Sequence, residues 1–205
     1  RNPMITSTFG TGVLLKLVLE AGFRDIVVGI GGSATNDGGV GMASALGFRF
    51  FDADHRLLEA GGGSLGNLAS IDISGVHPLL TSARIVIGGD VQNLLVGMDG
   101  ASRVYGPQKG ATPEMVEKLE KNMHHFSKIL STSFGKNYAE IPGSGAAGGL
   151  GAGLMAFCNA RMNSGFEIIK QYANLEEQIS TADLVFTGEG KIDGQSAQGK
   201  TVGKI

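Results

Sequence analysis

Short apolar runs punctuate this chain, and three of them break into glycine and then a carboxylate. Ile26–Ile30 leads into Gly31-Gly32-Ser33-Ala34-Thr35-Asn36-Asp37, Ile85–Ile87 into Gly88-Gly89-Asp90, and Leu184–Phe186 into Thr187-Gly188-Glu189-Gly190. An apolar run bounded by glycine predicts a strand buried on both faces, as in the parallel sheets of α/β proteins. Helical spacing appears between them. Leu14, Leu15, Val18 and Leu19 predict a helix over Thr11–Ala21 with Gly22 as its stop, and a second helix is expected up to Leu46, closed by Gly47. Phe48–Phe51 and Arg56–Leu58 predict a hairpin around Asp52–His55, and Ile71–Ile73 a further strand.

The clearest helix is expected from Pro113 to Leu130. Thr112 suits the N-cap, Pro113 the first helical position and Glu114 the positive end of the dipole. Met115, Leu119, Met123, Phe126 and Leu130 form its core stripe, with His124 and His125 at the edge as ordinary helix residues. Pro142–Gly153 reads as a glycine-rich turn opening into Leu154–Cys158, and Asp183–Thr187 as the last strand.

Composition narrows the function classes. The 205 residues carry 17 basic and 19 acidic side chains, a net charge of −2. That balance gives no electrostatic case for a nucleic-acid or membrane partner. No apolar run reaches the roughly 18 residues of a membrane span; a cytoplasmic location is expected from the single cysteine, which cannot form an internal disulfide. The single Cys158 sits in an apolar stretch and predicts core filling. His55 and His77 lack a second ligand at metal spacing, so no zinc site is argued. Glycine is the outlier, 34 residues against a usual share of roughly 7%. It gathers at the turns where ligands meet α/β sheets.

Two nucleotide patterns match by letter and fail by context. Gly29–Ala34 fits a dinucleotide fingerprint, with Asp52 following a second strand, but Asp37 puts a carboxylate where a pyrophosphate needs only amides. An NAD-binding oxidoreductase is therefore a minor alternative. Gly194–Thr201 fits the Walker A pattern, but Gly188–Asp193 intervene between strand and loop. Taken together the loops suit phosphoryl transfer. Exposed backbone N–H groups would hold phosphate, Lys109, Lys191 and Lys200 would neutralise charge, and Asp37, Asp90, Glu189 and Asp193 would hold Mg²⁺ or accept a proton.

At this point the motifs acquire a family. Gly29–Gly39, Asp90-Val91-Gln92-Asn93, Gly106-Pro107-Gln108-Lys109-Gly110, Pro142–Gly149 and Thr187–Asp193 resemble, in order, the signatures of the bacterial glycerate kinases. The resemblance implies phosphorylation of D-glycerate by ATP with Mg²⁺, and a Rossmann-like domain split by an inserted α/β domain. Residues 1–185 would be mainly that inserted domain and 186–205 the start of the return to the first. A non-catalytic isolated domain is the alternative, and a homodimer is left open.

Carried over by position, Asp193 or Asp37 would accept the hydroxyl proton, and Asp90 and Glu189 would lie near the metal. Lys109 or Lys200 would meet the phosphates or the glycerate carboxylate. Ser33, Thr35, Asn36, Asn93, Gly188 and Gly190 would contribute to binding. One departure stands out: Gly89 precedes Asp90 where the family has Cys, and Asn93-Leu94-Leu95 replaces Asn-Pro-Leu. Without that proline the loop after Asp90 is expected to be less rigid.

Overall fold

A computed structural model describes residues 2–188. The chain is α/β and divides into two compact units at Asn163/Ser164. In the first, three parallel strands form one sheet: β1 (Asp25–Gly29), β4 (Arg84–Gly88) and β5 (Arg161–Asn163), in the order β1-β4-β5. Ile26 pairs with Ile85 and Val28 with Ile87. A separate antiparallel pair joins β2 (Arg49–Phe51) to β3 (Ser70–Asp72).

Helices supply the rest of the first unit: α1 (Phe9–Glu20), α2 (Val40–Ala45), α3 (Ala101–Tyr105), α4 (Pro113–Phe134) and α5 (Ala146–Phe157). The Thr112 hydroxyl accepts from Met115 N–H, and Gly135 closes α4 at φ +69°. Leu119, Met123, Phe126 and Leu130 are fully buried. Met115 is only partly buried, and Val116 takes its place in the stripe. Phe48, Phe50 and Phe134 surround Phe157 at ring-centroid distances of 5.1, 5.5 and 5.6 Å. That is the tilted and edge-on packing aromatic rings prefer. Cys158 is buried beside Met42, and burial pushes its thiol pKa up to about 12.

Several sequence expectations change. β1 is not buried on both faces: Ile26 points into the core, while Val27 on the opposite face is 40% exposed. In α1, Leu15 and Leu19 are buried but Leu14 is exposed, so the buried stripe is narrower. The 48–58 hairpin forms around Asp52–His55, through the Phe51–Leu57 bridge and hydrogen bonds from Asp52 N to Arg56 O and Leu58 N to Phe50 O, and β2 pairs with β3 as well. The turn expected over Pro142–Gly153 is mostly helix. Its glycines permit close packing, and α5 begins with a left-handed kink over Ala147, Gly148 and Gly149.

In the second unit, α6 (Gly165–Tyr172) and α7 (Leu175–Thr181) precede residues 182–188, which form no strand. Leu184 and Phe186 are exposed, since an apolar run becomes a strand only when a neighbour completes its hydrogen bonds. Among the described residues no helix is long and apolar enough to cross a membrane.

Candidate functional site

The first two glycine–carboxylate junctions leave adjacent parallel strands, β1 and β4, at their carboxyl ends. There the backbone turns outward and opens a cavity of about 100 Å³. Its walls come from Ile30–Ser33 after β1, Val91 after β4, Tyr105 at the end of α3, Gln108 and Lys109, and Ala146 and Ala147 of α5. Ligand sites of open α/β sheets sit at this end of the strands. A Cβ on Gly31 or Gly32 would meet no atom within 4 Å. Gly32 needs its glycine for φ +57°, and the backbone there is open to a ligand.

Lys109 is the charged group of the cavity. It belongs to a single turn, Pro107–Lys109, and is only 2% exposed. Its ammonium donates to the Thr35 carbonyl at 2.8 Å and lies 5.9 Å from the Tyr105 ring centre. Burial pulls its pKa down to about 8, and the charge of Asp37 opposes that fall. Between about pH 8 and the ordinary lysine value of 10.5, the unfolded chain keeps a proton that the native chain has released. Stability from this group therefore rises with pH across that window and is flat below and above it. Lys109→Met is expected to flatten the rise, read as the wild-type minus variant difference in Tm from pH 7.5 to 10. A constant difference would mean that Lys109 titrates normally.

Ala147 holds a left-handed conformation, φ +52°, without the freedom of glycine. Such a residue costs about 1–2 kcal/mol and marks sites that clamp ligands. The N–H groups of Ala147 and Gly148 donate to no carbonyl outside α5 among the described residues. Gly148, at φ +71°, lets this kink press against the loop after β1: a Cβ there would lie 2.0 Å from the Thr35 oxygen.

The expected site residues separate into four groups. Ser33 and Lys109 line the cavity, and Thr35 joins them through its carbonyl. Asn36 and Asn93 stand behind it as braces. Asn36 is fully buried and donates to the Ser102 hydroxyl at 3.0 Å. Asn93 donates to the Asp99 carbonyl at 2.8 Å and accepts from the Tyr105 hydroxyl at 2.7 Å. Asp90 is exposed at the end of β4, next to the cavity-lining Val91. Asp37 lies beneath the loop with its carboxylate accepting from Thr8 N, Thr8 Oγ1, Gly39 N and Gly41 N at 2.7, 2.9, 3.3 and 3.3 Å. Three of those donors reach Oδ2 and one, Gly39 N, reaches Oδ1. Burial raises the pKa of Asp37, and the Thr8, Gly39 and Gly41 hydrogen bonds oppose the rise. Gly188 belongs to the second unit, and Glu189, Gly190, Asp193 and Lys200 lie outside the described residues.

The loop after Asp90 is more constrained than its missing proline implied. Leu95 is fully buried and donates to Ala139 O, and Gly97 N donates to the buried Glu120 carboxylate at 2.6 Å. Packing replaces the proline. Tyr105, Gln108, Ala146 and Ala147 were not among the expected site residues. All four stand in or beside the Gly106–Gly110 and Pro142–Gly149 motifs, but a motif does not say which of its members face a cavity. Among the described residues, no group of three or more His, Cys, Asp or Glu side chains could hold a metal ion. Mg²⁺ usually binds through one or two carboxylates together with phosphate oxygens. The exposed Asp90 fits that mode.

The glycerate kinase family profile matches residues 1–205. "Glycerate 2-kinase" of Escherichia coli (strain K12) is 49% identical over 200 residues, covering 98% of this chain and 52% of that protein. "Glycerate kinase" of Halalkalibacterium halodurans is 50% identical over 201 residues, covering 98% and 53%. A crystal structure described as a candidate glycerate kinase 2 from Salmonella typhimurium LT2 superposes with a TM-score of 0.89 at 48% identity, covering 98% of this chain and 54% of that one. The chain thus spans about half the length of the curated relatives it matches.

Proposed function

Because this chain belongs to the glycerate kinase family, we propose that the whole protein transfers the γ-phosphoryl group of ATP to D-glycerate. The observation that carries this reading is the buried Lys109 ammonium in a cavity walled by open backbone at the ends of two parallel strands. Phosphoryl transfer needs little covalent chemistry from the protein; positioning and fixed charge supply the rate. This cavity offers both.

Roles follow from placement and from the family pattern. Lys109, Ser33 and the Thr35 turn bind and orient a substrate anion, with Asn36 and Asn93 holding the walls. Asp193 is the proposed acceptor of the hydroxyl proton, since the carboxylate of Asp37 is buried and engaged in bracing α1 and α2. Asp90 and Glu189 would lie nearest Mg²⁺, which would neutralise phosphate charge when bound. Lys200, Gly188 and Gly190 would serve the nucleotide. Residues 1–185 remain the proposed inserted domain and 186–205 the proposed return.

The 49% identical relative carries the name glycerate 2-kinase, which supports the 2-hydroxyl as acceptor. This chain, completed to the full length of its relatives, is expected to release ADP only with D-glycerate present and to form 2-phosphoglycerate. An enolase-coupled assay without phosphoglycerate mutase reads that product directly. The chain alone is expected to show no turnover. No ADP release from the completed enzyme with D-glycerate would refute the kinase reading; product visible only after mutase is added would move the acceptor to the 3-hydroxyl.

A further inference from the structure

Resting on the kinase reading, we propose that the cavity at the ends of β1 and β4 seats the carboxylate of the acid acceptor, and that the phosphates of the nucleotide bind elsewhere. Size is the first argument. The cavity measures about 100 Å³. That suits a carboxylate and the carbon bearing it. Sites enclosing a drug-sized ligand run to roughly 300–1,000 Å³, and a nucleoside triphosphate is of that class.

Charge is the second. Among the described residues, Lys109 is the one charged side chain lining the cavity, with no arginine, second lysine or acid in its walls. One buried ammonium matches one carboxylate. A triphosphate would bring several negative charges into the same space with a single cation to meet them, and unpaired buried charge is strongly unfavourable.

Donor arrangement is the third. Lys109, Ser33 and Gln108, three residues with side-chain donors, line one small space beside the left-handed Ala147. Two carboxylate oxygens use two of these donors, leaving another for a neighbouring hydroxyl. Around them Ile30, Val91 and the Ala146–Ala147 turn are apolar, and Lys109 itself is buried, which strengthens a charged contact. The cavity therefore selects an acid over a polyol of the same length.

Steady-state kinetics of the full-length enzyme test this, with ATP and D-glycerate varied separately and glycerol as the neutral analogue. Lys109→Met is expected to raise the KM for D-glycerate about 10- to 100-fold, the usual loss for a charge-assisted hydrogen bond. The KM for ATP should move by less than about threefold, and preference for D-glycerate over glycerol should fall by the same factor as D-glycerate binding. Because Lys109 is buried, Gln108→Leu serves as a second variant at an exposed position. It should raise the KM for D-glycerate several-fold and leave that for ATP unchanged. A rise in the ATP KM with D-glycerate unaffected overturns the proposal and gives the cavity to the nucleotide. A fall in kcat with both KM values unmoved also overturns it. If the wild type turns over no D-glycerate, the kinase reading fails by itself. Calorimetric titration of D-glycerate into wild type and Lys109→Met then decides the carboxylate seat: binding lost in the variant supports it, and equal or absent binding in both overturns it.

Discussion

Gly148→Ala is expected to lower the melting temperature by about 4–20 °C. The new Cβ would lie 2.0 Å from the Thr35 carbonyl oxygen and 2.8 Å from the Asn36 Cα, inside any tolerable contact. Both neighbours are backbone, so no rotamer change relieves the clash. Left-handed strain at φ +71° adds about 1–2 kcal/mol, and overpacking typically about 1–3 kcal/mol. The sum of about 2–5 kcal/mol, at roughly 2–4 °C per kcal/mol for a chain of this length, gives the stated range. Relief requires the kink of α5 to move away from the loop after β1, and Thr35 would carry the Lys109 hydrogen bond with it. Gly10→Ala is the control, since nothing lies within 4 Å of its Cβ position. Calorimetry on both variants checks the difference. Equal melting temperatures would show that the two glycine segments do not touch.

Asp37→Ala should destabilise by a similar amount, about 3–5 kcal/mol. Its carboxylate joins the start of α1, through Thr8, to the start of α2, through Gly39 and Gly41. The Thr8 hydroxyl extends the link by accepting from Met42 N at 2.9 Å. Removing the acid leaves buried N–H donors without an acceptor, and it also removes the negative charge that offsets buried Lys109. Asp37→Asn keeps one acceptor oxygen and should lose about half as much. Denaturant unfolding of the three proteins measures the series. A change below about 1 kcal/mol for Asp37→Ala would remove its anchoring role and restore it as a proton acceptor.

Of the two residues, only Asp37 was flagged for chemistry by the glycine–carboxylate pattern. Asp37 shows the limit of that pattern. An acid after a glycine turn can serve a ligand or cap a helix, and one-dimensional spacing is the same for both. What distinguishes them is Thr8, 29 residues earlier, whose N–H and hydroxyl both reach the carboxylate. Lys109 is the opposite case. Its motif pointed to an anion, and the structure buries its ammonium in the cavity.

Local signals read well where they close locally. Thr112 and Pro113 mark the start of α4 because a cap needs only its own helix end, whereas the helix runs on to Phe134, past the Leu130 expected, and stops at Gly135. The strands β1 and β4 were legible because glycine ends each apolar run. Signals that need a distant partner failed. Leu184–Phe186 has strand composition and no strand, and nothing local marked Ser70–Asp72 as the partner of Arg49–Phe51. The Pro142–Gly153 segment looked like a turn by glycine count. Its glycines instead permit a close crossing with the 35–39 loop, where Gly153 and Gly149 meet Gly38.

By itself the amino-acid order determined the α/β class, the start of α4 and the family, because each depends on neighbours along the chain or on motifs in sequence. The folded molecule alone decided which motif members share a wall, that Asp37 is an anchor, and that the cavity is small and singly charged. Those properties arise from approaches between segments tens of residues apart, where burial and backbone contact depend on three-dimensional packing that no local spacing encodes.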